Sequence, residues 1–233
     1  MGALRMAAMR SRLATRALWV GGVLLMAPGC LSGARNLGAA TTPVGTTEVG
    51  VSMNTIAFEH GREKAYLPNP ELHFRKGAGE GWDWGGRLTL LGLELGTRHR
   101  ILESPSWTLS FAPSAGLWYV PVTNNYTEPV NLRLGAQALL DWRVSRRWTL
   151  TGGASLTGAF AGPLTALQGR FNGSHLLAAP GASLGIAYRL KPNLEVRAEG
   201  GFEIPMELSG GRRPMAGHAG LTLRWWRDDA RRR

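Results

Sequence analysis

Five histidines, His60, His73, His99, His175 and His218, are the first residues to consider for acid–base or metal chemistry. A metal site needs ligands at short, fixed spacings. The chain has neither an HExxH pattern nor a Cys-His set, so no metal is implied. The five read as polar residues of loops and strand faces. Acyl-transfer chemistry needs a serine, a histidine and an acid within hydrogen-bond reach of one another. Ser110 or Ser174 with His175 and a glutamate supply the residue types, but their spacing constrains nothing. Gly200-Gly201 and Gly210-Gly211 form no phosphate loop and read as strand relief and a turn. The pattern implies no cofactor and no catalytic residue, and we read the chain as not an enzyme.

One residue does carry a chemical signal. Cys30 is the single cysteine, so no intramolecular disulfide can form. It follows residues 1–29, which have the three-part form of an export signal. Arg5 to Arg16 make a positive region, and Ala17 to Ala27 an apolar core of eleven residues. A bilayer-spanning helix needs about twenty. The segment LLMAPGC resembles the lipobox of bacterial lipoproteins, in which a small residue (here Gly29) precedes a cysteine that becomes acylated and amino-terminal. By that resemblance Cys30 is the lipid-attachment residue. Leu31 stands where an aspartate would retain a lipoprotein at the inner membrane, so the outer membrane is the implied destination. The other reading is ordinary cleavage after Ser32-Gly33-Ala34, which would discard Cys30.

The formal net charge of +11 raises the question of nucleic acid. Four of the positive charges (Arg5, Arg10, Arg12, Arg16) lie in the leader, and Arg231 to Arg233 cluster at the end. The rest are scattered through strands and turns with no basic helix, so no nucleic-acid partner is expected. Lysine is scarce, with only Lys64, Lys76 and Lys191 present. A β-protein with a water-facing exterior uses lysine to solvate it, and this one does not.

The elements that position these residues are strands. In Ala182–Ile204, ASLGIAYRLKPNLEVRAEGGFEI, apolar Leu184, Ile186, Tyr188 and Leu190 alternate with Ser183, Gly185, Ala187 and Arg189. After the Lys191-Pro192-Asn193 turn, Leu194, Val196, Ala198 and Phe202 alternate with Glu195, Arg197, Glu199 and Gly201. Period two on both sides of a short turn is a hairpin. The same rhythm gives ten strands, near 46–58, 70–76, 82–91, 93–102, 107–120, 128–142, 148–160, 182–190, 194–204 and 215–226. We therefore expect an all-β fold, a closed antiparallel up-and-down transmembrane β-barrel of about ten strands. Its organisation is a signal peptide (1–29), a periplasmic tether (30–45), the barrel (46–227) and a basic tail (228–233).

Alternation does not say which face points out. Aromatic residues gather near strand ends, as membrane-interface girdles do: Trp82, Trp84, Trp107, Trp142, Trp148, Tyr188, Phe202 and Trp225 among them. Connections alternate between short (77–81, 103–106, 144–147, 190–193) and long (59–69, 121–127, 161–174, 206–213), with a tight turn near 91. Mid-strand charges of both signs, Arg133, Asp141, Glu195, Arg197, Glu199 and Arg224, fit an interior where they pair. The chain also ends in LTLRWW, similar to the terminal signal of outer-membrane barrels. Over residues 46–226 the chain thus resembles small bacterial outer-membrane β-barrel proteins. That resemblance implies outer-membrane lipids and the barrel-assembly machinery as partners, and a structural or surface-interaction role. Three alternatives stay open: a small pore or transporter, a lipid-modifying outer-membrane enzyme, and a soluble periplasmic ligand-binding barrel; barrel enzymes of this kind of architecture include lipid A deacylases and the omptin proteases. An omptin would need two acid-bearing pairs, and Glu203 and Glu207 lack a matching pair.

Overall fold

The computed structural model describes residues 37–60, 63–119, 130–161, 176–204, 206–207 and 216–228. The export signal, Cys30, Ser174, His175, most of the basic tail and most of the long loops lie outside the described residues.

The strands are β1 (Thr46–His60), β2 (Glu63–Gly79), β3 (Trp82–Thr89), β4 (Gly92–Glu103), β5 (Trp107–Tyr119) and β6 (Val130–Arg143). They continue with β7 (Trp148–Ala161), β8 (Leu176–Lys191), β9 (Leu194–Glu203), β10 (Met206–Glu207) and β11 (Ala216–Asp228). Each pairs antiparallel with its neighbours, and β1 pairs with β11, which closes the ring. β9 and β10 share one register against β8, with Gly181 opposite Glu203 and Ala178 opposite Met206. β10 is therefore a continuation of β9, and the molecule is a closed ten-stranded up-and-down barrel.

Both chain ends enter the barrel at the same end. The connections there are short: 80–81, 104–106, 144–147 and 192–193. We call this the turn end and the opposite one the loop end. In the first of these turns Gly81 has φ of 76°, a left-handed geometry that glycine adopts without a Cβ clash.

The two faces of the ribbon are as the alternation demands. Leu184 is 75% exposed and Leu134 58%, with Leu223, Leu221, Met53 and Leu88 beside them on the outside. Arg197 is 1% exposed and Arg98 0%, and Glu199, Arg133 and Arg224 are buried with them. Trp82, Trp84, Trp107, Trp142 and Trp148 stand outward near the turn end, with Tyr188 tilted against Trp148 at 4.6 Å. That girdle is complete at the turn end. At the loop end Phe202 and Phe160 are the described aromatic side chains in the corresponding place.

Three expectations change. The stretch 59–69, read as a long loop, is mostly strand: β1 and β2 continue to His60 and Glu63 as a hairpin. Pro68 and Pro70 misled the reading. They lie where β2 pairs only with β1, since its pairing to β3 begins at Glu71. Proline is tolerated at such an edge because no second ladder asks for its N–H. The eighth strand begins at Leu176 rather than near 182, because small residues from Ala178 to Gly181 keep the ladder to β7. Third, residues 37–45 do not hang outside the barrel as a tether. They run from the middle of the lumen to the turn end, and Val44 bridges in parallel to Gly77 before Thr46 starts β1.

Candidate functional site

The lumen holds the described groups capable of chemistry, and it is organised in two charged layers. The layer nearer the turn end is centred on Asp83 of β3. Its carboxylate accepts from Arg75 Nε of β2 (2.7 Å), with Arg75 Nη2 in ion-pair contact at 2.6 Å, and from Arg98 of β4 (Nη2 2.6 Å, Nε 3.2 Å). Glu48 of β1 accepts from Arg224 of β11 (3.3 Å) and from the Trp226 indole N–H (3.1 Å), with Arg98 Nη2 3.9 Å away. Arg224 also donates to Glu195 of β9. Arg197 of β9 donates to the Thr151 hydroxyl of β7 (2.7 Å), which in turn donates to Asp141 of β6 (2.6 Å). The belt thus ties together β6, β7, β9, β11, β1, β4, β3 and β2.

The inner face of β8 contributes none of these charges, being Ala179, Gly181, Ser183, Gly185 and Ala187. Its small residues leave room for the long side chains of β9. A Cβ at Gly181 would meet Glu203 Cγ at 2.7 Å.

The layer nearer the loop end is built round Trp118 of β5. Arg87 and Arg133 lie over its ring at 5.3 and 5.2 Å. A guanidinium over an indole face is an attractive cation–π contact. Arg87 bridges Glu71 (3.4 Å) and Glu94 (2.9 Å), and Arg133 reaches past β7 and β8 to Glu203 of β9 (3.0 Å). His73 lies between the layers, 3.8 Å from Glu48 and 3.9 Å from Glu71. His218 faces Glu199 at 3.5 Å.

The third component is the strap, residues 37–44, and the wall holds it almost wholly by its backbone. Arg197 donates to the carbonyl of Leu37 (3.3 Å), Arg98 to that of Gly38 (2.6 Å), and Ser110 to that of Ala39 (2.5 Å). The N–H of Ala40 donates to Asp141 (3.1 Å) and that of Thr42 to Asp83 (2.6 Å). Ala39 is packed against Ala112 and Leu139, the one apolar cluster within the lumen among the described residues.

This geometry settles where the sequence candidates lie. Ser110 is buried and its hydroxyl is spent on the strap. His73 and His218 are lumenal, whereas His99 is outside, stacked on Trp82 at 6.0 Å. Glu203 is held by Arg133 and Thr157. No three His, Cys, Asp or Glu form a metal-holding group among the described residues. Glu195, Arg197, Arg133, Asp141 and Arg224, singled out as a pairing set, all fall inside the network. Sequence reasoning missed Asp83, Trp118 and the strap. One signal for the strap was present: Leu139 breaks the polar face of β6, and an apolar side chain on a polar wall needs something to cover it.

Two guanidiniums and a strap N–H converge on Asp83, which is fully buried. Removing one partner of a buried ion pair costs about 3–5 kcal/mol. Asp83→Asn is expected to destabilise by that order, and Thr151→Ala, which removes hydrogen bonds to the buried Arg197 and Asp141, should cost about 1.5–3 kcal/mol for each bond lost. Urea midpoints of the detergent-folded barrels measure both.

No protein-family model matches the chain, and no curated protein matches its sequence. Solved structures that it is similar to include Ail, the attachment invasion locus protein of Yersinia pestis, at 13% identity and a TM-score of 0.34, covering 79% of this chain and 99% of that one. The N-terminal β-barrel domain of Pseudomonas aeruginosa OprF has 9% identity and a TM-score of 0.38, with 80% and 100% covered. The NanC porin has 10% identity and a TM-score of 0.43, with 76% and 98% covered. One of the three is named as a β-barrel domain and one as a porin, and scores of this size carry no argument about what this chain does.

Proposed function

We propose that this chain is a barrel of the bacterial outer membrane, exported and lipid-anchored through Cys30, with a structural or surface-interaction role and no open pore. The observation that carries the reading is the inversion of the two faces. Among the described residues leucine, valine, isoleucine, methionine, phenylalanine and tryptophan form the exterior belt, and most of the strand charges are inside. A soluble barrel binding an apolar ligand would have its leucines in the lumen. In hydrocarbon every backbone N–H and C=O must be paired within the protein, and a closed ring of strands does this. With the turn end in the periplasm, β1 begins and β11 ends on the side from which the protein is inserted, and the longer loops face outward. β11 then presents LTLRWW to the barrel-assembly machinery.

The closed lumen favours a structural role over a small pore. Two charged layers cross it, Trp118 spans one of them, and the strap fills much of the other. Nothing in the described part of the lumen brings a nucleophile, a base and an acid together, so the reading includes no catalytic step.

Three measurements test this reading. Purified protein should shift on heating in detergent gels and stay silent in planar bilayers; steady conductance steps would establish a pore instead. Leu184→Arg places a charge at the middle of the exterior belt. It should cost about 2–4 kcal/mol for folding into lipid vesicles, as lipid-facing arginines do near the midplane. An unchanged folding free energy would show that this face meets water. The mature chain should carry an acyl-sized mass increment that Cys30→Ser abolishes; a mature terminus beyond Ala34 would mean ordinary cleavage.

A further inference from the structure

The strap is held in a way that an ordinary buried segment is not. One of its wall hydrogen bonds uses a side chain, the Thr42 hydroxyl donating to Glu48 (3.4 Å), and the other five are to backbone groups, the carbonyls of Leu37, Gly38 and Ala39 and the N–H groups of Ala40 and Thr42. Any extended peptide carries such groups at the same repeat. What restricts the occupant is space. A Cβ on Gly38 would stand 2.6 Å from Arg197 Nη2 and 2.9 Å from Asp141 Oδ2. On the other side, a Cβ on Gly77 would stand 2.0 Å from the carbonyl oxygen of Pro43. The wall therefore admits a backbone with small side chains pressed close to it.

The wall also does not need this occupant. With the strap absent, Arg98 keeps Asp83, Asp83 keeps Arg75, Asp141 keeps Thr151, and Arg197 keeps Thr151, all at 2.6–2.7 Å. Losing the strap leaves no wall charge without its principal partner, so the large penalty of an orphaned buried ion does not bind the strap in place. Its apolar anchoring is confined to Leu37 and Ala39 against Ala112 and Leu139. Beside it an open cavity of about 450 Å³ runs to the turn end, lined by Gly38, Ala40, Thr41 and Pro43 of the strap and by Arg143 and Arg189 of the wall. The strap borders this space without filling it.

We infer that the turn-end mouth of the lumen is a peptide-binding site for an extended, small-residue backbone, and that the chain's own Leu37–Val44 fills it as an exchangeable occupant. The site reads the backbone through Arg197, Arg98, Ser110, Asp141 and Asp83, and selects against bulk at the position of Gly38.

The test uses the full mature chain and a synthetic peptide of Leu37–Val44, acetylated and amidated. Gly38→Val alters the strap and leaves every wall residue in place. In the variant the strap should become open to protease while the heat-modifiable barrel persists. The variant should then bind the free peptide one-to-one, at least about tenfold more tightly than the wild type, whose mouth is filled. A peptide with valine in place of Gly38 should bind neither. Protection of the variant strap equal to wild type overturns the inference, as does an exposed strap with no peptide binding. Equal binding of native and valine peptides overturns it too. A second measurement does not depend on that variant. In a Cys30→Ser, Ala39→Cys chain, labelling of the buried thiol should be slow and should speed up at least about tenfold when native peptide is in excess. A rate that the peptide does not change overturns exchange.

Discussion

The structure depends on charges that have been placed inside a closed ring with no solvent to share them with. A guanidinium in such a lumen is tolerable only with hydrogen-bond acceptors and a carboxylate close by. The wall meets that condition by drawing partners from different strands. Asp83 of β3 takes Arg75 and Arg98 from its two neighbours, and Glu48 of β1 takes Arg224 and Trp226 from β11. Arg133 and Glu203 close the gap across β7 and β8. The backbone ladders fix the ring, and the side-chain belt braces it from within. Small residues on β8 are part of the same solution, because the long side chains of β9 need somewhere to lie.

This arrangement makes the lumen a poor conduit. Conduction needs a water-filled path, and the described lumen is crossed twice. Near the loop end Trp118 carries two arginines against its ring, and those arginines are pinned by Glu94 and Glu203. A small space of about 30 Å³ lies beside Leu37 and His73 between the layers. The larger space opens only at the turn end. A ten-stranded ring leaves little more than the volume its own inward side chains occupy.

Much of the fold was legible in the sequence because a strand writes its two faces in alternate residues. The hairpin Ala182–Ile204 gave both arms and the turn, and Arg197, Glu199 and Leu184 fell on the faces their polarity requires. Reading went astray where a local rule met a special position. Pro68 and Pro70 suggest a loop by composition, yet an edge with one neighbour accepts them. The strap was illegible for a deeper reason. Its residues are small and without period, and its partners are 41 to 160 positions away in the chain. Contacts made by backbone groups leave no trace in side-chain type. Asp83 was likewise hidden, since a single acid between two tryptophans looks like any polar residue of an alternating strand.

The belt also answers what fixes register. A backbone ladder is nearly indifferent to a slip of one residue, but side chains are not, because such a slip exchanges the two faces. If β9 moved by one position against β8 and β11, Glu195, Arg197 and Glu199 would point outward and Val196 and Ala198 inward. Arg224 would lose Glu195, Thr151 would lose Arg197, and three charges would stand on the belt that carries Leu184 and Leu223. Each charge so moved would stand in the apolar belt and leave its lumenal partner one bond short, against a gain of one or two small apolar contacts. Replacing the belt with well-packed apolar residues could leave a barrel as stable or more so, since buried ion pairs bring little net stability. Such a barrel would have no means of telling its inner face from its outer one. The ion pairs are best understood as the element that makes one register, out of several with equal backbone hydrogen bonding, the native one.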